Sequence, residues 1–90
     1  NVPEKFELSQ NYPNPFNPST KIKYQIATSN PVSLKIYDVL GNEVATLVNE
    51  IQSTGNYEVI FNASSLSSGT YFYRLQTGSL VESRKMILLK

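Results

Sequence analysis

The chain has no cysteine, no histidine and no tryptophan, and only one aspartate, Asp38, among its 90 residues. Without cysteine there is no disulfide framework, no thiolate nucleophile and no cysteine zinc site. Without histidine the commonest general base and the commonest transition-metal ligand are both missing. The lack of cysteine leaves the compartment open, because an exported bacterial domain need not carry disulfides. Long apolar runs are missing too: none approaches the ~20 residues of a membrane-spanning helix. Charge is balanced at a formal +1, and the eight basic residues are scattered. That argues against nucleic acid as a partner, which calls for a basic stripe. No cofactor is expected. The opening Asn1-Val2-Pro3-Glu4-Lys5 is no signal peptide; it reads as a linker end, and any export leader is expected upstream.

What remains is enough for one small domain, expected over residues 6–90. Apolar residues at 40% and charged ones at 17% suit a folded globule better than a disordered tail. Short β-rich runs alternate with turn residues at the spacing of a sandwich. Phe6-Glu7-Leu8 is a short first strand. In Thr20 to Ala27, Ile22, Tyr24 and Ile26 share one face; in Val32 to Asp38, Val32, Leu34 and Ile36 do the same. A period of two places each set on one side of a sheet. Glu43 to Val48 reads as a fourth strand that alternates poorly, and Tyr57 to Phe61 as a fifth. A Ser/Gly-rich connection over Ser64 to Gly69, with room for one helical turn, leads to Thr70 to Thr77. Gly78-Ser79 then fits a two-residue hairpin turn into Leu80 to Leu89, whose final Met86-Ile87-Leu88-Leu89 loses alternation. A bulge, or burial on both faces, would explain that loss. The expected architecture is all-β, about seven antiparallel strands in two layers, with Tyr24, Tyr57, Phe61, Tyr71 and Tyr73 filling the space between them.

Four segments are candidates for function. Asn11 to Thr20 holds three prolines within six residues, Pro13, Pro15 and Pro18. They remove three backbone donors, so this is neither a central strand nor a helix. It is either a rigid recognition loop offering asparagine amides or a strap closing the sandwich, with Tyr12 and Phe16 in the core. Tyr12-Pro13 is a place for a cis bond. Ile36 to Val44 reads as a hairpin in which Gly41 and Asn42 tolerate positive φ. A calcium loop through Asp38, Asn42 and Glu43 is the sharper alternative, but calcium wants six to eight oxygens. Glu58 and Glu82 fall on polar phases of their strands and suggest no catalytic pair; Asn62-Ala63-Ser64 is a sequon of the kind that arises by chance. Lys85 to Lys90 is either an ordinary last strand or one that a receptor reads by edge pairing or by its end. An exposed aromatic platform, from Tyr37 and Phe72 on the outward phase, would instead suit an accessory carbohydrate-binding or adhesive sandwich.

Taken together, Leu8-Ser9-Gln10-Asn11-Tyr12-Pro13-Asn14-Pro15-Phe16-Asn17-Pro18-Ser19-Thr20 closely resembles the opening of the type A C-terminal sorting domains of type IX secretion. Lys35 to Val44, Ser68-Gly69-Thr70-Tyr71-Phe72-Tyr73-Arg74-Leu75 and Lys85-Met86-Ile87-Leu88-Leu89-Lys90 fit the same family in order. The resemblance implies an immunoglobulin-like sandwich that follows an upstream cargo domain and acts as a non-catalytic secretion signal. It further implies passage through the periplasm, recognition by the outer-membrane translocon, and removal by a sortase-like peptidase near residues 1–5, leaving the cargo secreted or surface-attached. The residues it nominates for translocon recognition are Asn14, Pro15, Phe16, Asn17, Pro18, Gly69, Tyr71, Lys85 and Lys90.

Overall fold

Alternation of period two decides which side chains meet between the layers. The computed structural model describes residues 6–90, so the linker expected at residues 1–5 lies outside the described residues. The strands are β1 (Glu7–Leu8), β2 (Ser19–Ile26), β3 (Asn30–Tyr37), β4 (Glu43–Gln52), β5 (Gly55–Asn62), β6 (Gly69–Thr77) and β7 (Leu80–Leu88). They form a three-stranded sheet in the order β1-β2-β5 and a four-stranded sheet in the order β4-β3-β6-β7. Every pairing is antiparallel. The chain crosses between sheets after β2, after β4 and after β5, which gives the expected immunoglobulin-like sandwich.

The inner faces hold the residues that the alternation selects. Ile22, Tyr24 and Ile26 of β2 are buried against Val32, Leu34 and Ile36 of β3, with Tyr73 and Leu75 of β6 fully enclosed. Burying each such aliphatic side chain contributes about 1.5–3 kcal/mol. Tyr24 lies directly opposite Tyr57, and the two rings stack with centroids 5.4 Å apart. The Tyr24 hydroxyl donates to Gln52 Oε1 at 2.6 Å.

Two strands depart from the sequence reading, each for a visible reason. β4 alternates poorly because it bulges twice. Its pairing with β3 passes from Leu34↔Val48 to Lys35↔Thr46 and from Ile36↔Ala45 to Tyr37↔Glu43. Leu47 and Val44 are thereby left without partners, so each shares the half-buried side with its neighbour. Bulges also make this edge a poor template for another strand. β7, where a bulge was one expectation, has none: its register with β6 is unbroken from Thr77↔Leu80 to Gly69↔Leu88. Met86 and Leu88 are buried, Ile87 is half-buried and Leu89 exposed. The inward phase of β7 also includes Glu82 and Arg84, so Glu82 is not on the outward phase. That end of β7 faces the short β1, where Arg84 Nε donates to the Leu8 carbonyl at 2.7 Å and Glu82 sits 3.8 Å from Arg84.

The connections are tight. In the Asp38–Asn42 turn, Asp38 Oδ1 accepts from the amides of Leu40 and Asn42 at 2.9 and 3.0 Å. The Asn42 amide, with help from Leu40 and Gly41, holds this carboxyl below the usual range. Its oxygens are turned to the backbone, which leaves little of the calcium reading. Gly41 alone takes positive φ, +87°, and Asn42 does not, as no non-glycine residue among those described has positive φ. The 64–69 connection is a turn closed by the Leu66 amide on the Ala63 carbonyl, and no described residue is helical.

Burial gives the fold an alkaline limit. It pushes Tyr24 up to about 12, against the opposing Gln52 hydrogen bond, and raises Tyr73 likewise. A tyrosine whose folded pKa exceeds its unfolded value of about 10 stabilises fully below that value and loses its contribution as pH rises toward the folded one. The denaturant midpoint should stay level up to about pH 9.5 and then fall toward about pH 12, with a shallower fall in Tyr24→Phe. A midpoint unchanged through that range would refute the assignment.

Candidate functional site

The segment that most needs explaining is the proline strap between β1 and β2. Its prolines cannot donate, and Tyr12-Pro13, Asn14-Pro15 and Asn17-Pro18 are all cis; the sequence reading had singled out the first alone. The strap begins beside β2, where Tyr12 and Lys21 exchange backbone hydrogen bonds at 3.0 Å. It then crosses to the other sheet, where Phe16 forms a parallel bridge with Leu88. The Phe16 amide donates to the Ile87 carbonyl and the Leu89 amide to the Phe16 carbonyl, both at 2.9 Å. Asn14 Oδ1 accepts from the Ile87 amide at 2.9 Å, and Gln10 Nε2 donates to the Lys85 carbonyl at 2.8 Å. The strap thus serves as a short extra strand along β7. Edge pairing of a receptor with Lys85 to Lys90, one expectation for this strand, meets an edge that the strap already occupies from Lys85 to Leu89.

A buried polar knot anchors the crossing. The Tyr73 hydroxyl accepts from the Asn11 amide at 2.8 Å and donates to the Ser9 carbonyl at 2.7 Å. Asn11 Nδ2 donates to Thr20 Oγ1 at 2.9 Å, and that hydroxyl donates to the Pro13 carbonyl at 2.9 Å. Gln10 Nε2 closes on Asn11 Oδ1 at 2.7 Å. Asn11 and Thr20 are each only 2% exposed, and no buried side-chain polar atom among the described residues lacks a partner. Beyond the knot, Phe16 is buried with its ring 6.2 Å from Phe61. Tyr12, expected beside it in the core, is 80% exposed. Its backbone pairs with Lys21 on the outward phase of β2, and with Pro13, Lys21, Lys23 and Ile60 it lines an open groove.

The nominated residues therefore divide. Asn14, Pro15, Asn17, Lys85 and Lys90 are exposed, and Pro18 is half-buried. Phe16 and Tyr71 are buried, so in the folded domain they shape the surface and offer it no side chain. Tyr71, near the start of β6, donates its hydroxyl to the Ser67 carbonyl four residues back at 2.8 Å. This is the tyrosine corner of immunoglobulin-like sandwiches. Gly69 enters β6 at φ +154°, a conformation that side-chain-bearing residues rarely adopt. Lys90 lies over this same corner: its amide donates to Ser68 Oγ at 3.0 Å and Nζ to the Ser64 carbonyl at 2.6 Å. Gly69-Thr70-Tyr71 and Lys90 are thus neighbours, and so are the strap and Lys85 to Leu89.

Sequence reasoning passed over Gln10, Asn11, Thr20 and Tyr73 as a unit. One signal was available: Thr20 is a polar residue on the apolar phase of Ile22, Tyr24 and Ile26. The rival aromatic platform fares less well. Arg74 lies over the Tyr37 ring at 4.8 Å and donates to its hydroxyl at 2.6 Å, so one face of the ring is already covered. Glu58, on the outer face of the three-stranded sheet, lies 3.2 Å from Lys21 and 4.0 Å from Lys23. What the site offers chemically is presentation of amides, cations and an apolar edge.

The family model described as secretion system C-terminal sorting domain matches residues 10–89. No curated protein matches the chain.

Removing one hydroxyl tests the knot. Tyr73→Phe leaves the Asn11 amide and the Ser9 carbonyl unpaired, and should cost about 2 kcal/mol and roughly 10 °C of melting temperature. A melt within about 2 °C of the parent would show that the knot does not hold the strap. Asn14→Ala should leave the melt nearly unchanged yet speed hydrogen exchange at the Ile87 amide, measured by NMR.

Proposed function

The chain belongs to the secretion system C-terminal sorting domain family, the sorting signals of type IX secretion, and on that premise we propose how it is used. The folded domain is a ligand that the outer-membrane translocon recognises through the strap and the end of β7. It is also a substrate, which a sortase-like peptidase separates from an upstream cargo domain at or near the linker of residues 1–5. Members of this family are non-catalytic targeting signals, and we read this domain as having no activity of its own. The family implies export to the outer-membrane surface or the medium, with periplasmic transit as the proposed intermediate stage.

One observation carries the reading: the strap, which holds the most specific string of the family resemblance, and the Lys85 to Lys90 end, far apart in sequence, are adjacent in space. Four hydrogen bonds join Gln10, Asn14 and Phe16 to Lys85, Ile87 and Leu89. A partner meeting this corner touches Asn14, Pro15, Asn17 and Pro18 together with Lys85, while Lys90 marks its far end. Phe16, Gly69 and Tyr71 act from beneath by fixing the strap and the corner. Cleavage ahead of Phe6 leaves every described strand intact, which suits a tag that is read folded and then discarded.

The test is to fuse residues 1–90 behind a periplasmic fluorescent reporter in a bacterium with type IX secretion. The reporter should reach the surface or medium, and cleavage should shorten the fusion by about the 10.1 kDa of the domain. Retention in the periplasm would sink the reading. Deleting residues 85–90 is a poor substitute, because it removes Met86 and Leu88, both fully buried, and so removes the fold along with the signal.

A further inference from the structure

The charge around this corner is one-sided. No Asp or Glu occurs from Leu8 to Tyr37, or from Ser83 to Lys90. Lys85 stands on the outward phase of β7, exposed, and no described residue pairs with it. Across the outer face of the four-stranded sheet, one row runs Glu43–Tyr37–Phe72–Lys85. Its only acid sits at the far edge, engaged by Lys35 at 3.4 Å. Beside Lys85 the surface turns apolar. Phe72 is 37% and Leu89 55% exposed, Ile87 is half-buried between them in phase, and Pro15 of the strap lies alongside. The Asn14 side-chain oxygen accepts from the Ile87 amide, and Asn14 itself is exposed, so the polar group it has left to offer is a donor. The patch therefore combines one cation, amide donors and an apolar centre. It is also rigid, since the knot and the Phe16 plug hold the strap from both sides.

We propose that this patch, built from the strap and the outward residues of β7, docks onto an acidic protein surface with an apolar centre, and that Lys85 is its principal electrostatic contact. The proposal rests on the sorting reading and names the chemistry of the partner that reading requires. A rim cation of this kind steers encounter and rejects wrong partners, so reversing its charge should be worse than removing it. Because Lys85 is exposed and faces outward, substitution there leaves the core untouched.

The reporter fusion carries the test. Lys85→Glu should lower export about fivefold or more, with Lys85→Arg and the control Lys23→Glu close to the parent. Leu89→Asp should act in the same direction as Lys85→Glu, and thermal melting should confirm that both variants fold. If the parent fusion is exported and Lys85→Glu is exported equally well, this inference alone is overturned. If the parent fusion itself stays in the periplasm, the sorting reading falls and takes the inference with it. Sedimentation of the isolated chain with vesicles containing lipopolysaccharide covers the other anionic surface at hand. Binding there that is lost in Lys85→Glu would overturn the protein partner in favour of the lipid; no binding supports the proposal.

Discussion

A chain that crosses from one sheet to the other leaves backbone polar groups behind in the apolar gap, and these must find partners. In this domain the crossing is made by a segment poor in donors, so side chains supply what the backbone lacks. The Tyr73 hydroxyl is the centre of that solution, serving the Asn11 amide and the Ser9 carbonyl at once. Asn11 and Thr20 extend it to the Pro13 carbonyl. Buried networks of this kind are favourable only when complete, and this one is complete among the described residues. The strap's path, the cover over β7 and the position of Phe16 all follow from it.

How much of this was legible in the sequence depends on whether the information was local. β2, β3 and β6 were readable because each alternates against one neighbouring layer and nothing interrupts the period. β4 was blurred because a bulge belongs to a pair of strands; Val44 and Leu47 declare themselves only through the register with β3. The end of β7 was blurred for a different reason. Its alternation is intact, but Ile87 is half-covered while Leu89 is exposed, and no local pattern foretells that. Glu82 was misplaced because the inward phase there, which it shares with Arg84, faces β1, whose Leu8 carbonyl accepts from Arg84.

The strap shows the same limit more sharply. Composition excluded helix and central strand, but could not decide between a recognition loop and a structural closure. The structure shows the closure, and it divides the strap's side chains between inside and outside. Phe16 closes the sandwich, whereas Tyr12, four residues earlier, is directed outward. Asn14 gives its oxygen to the Ile87 amide while the rest of its side chain stands exposed. The knot was hidden because Asn11 to Tyr73 spans 62 residues, and a threonine on an apolar phase is only a hint of such a partner.

The closure bears on how a folded tag differs from a linear one. Strap and β7 end are separated by most of the sequence, so the corner they make exists only when both sheets have assembled. In an unfolded chain Asn14 has no Ile87 beside it, and Lys85 has no strap alongside. On the proposed reading, a translocon that binds this corner tests foldedness in the same act as identity. Displaying a short basic peptide would carry the charge but not the geometry. On that reading the fold is part of the message: strap and β7 end meet only in the folded chain, and the exposed residues there gain their arrangement from the buried ones beneath.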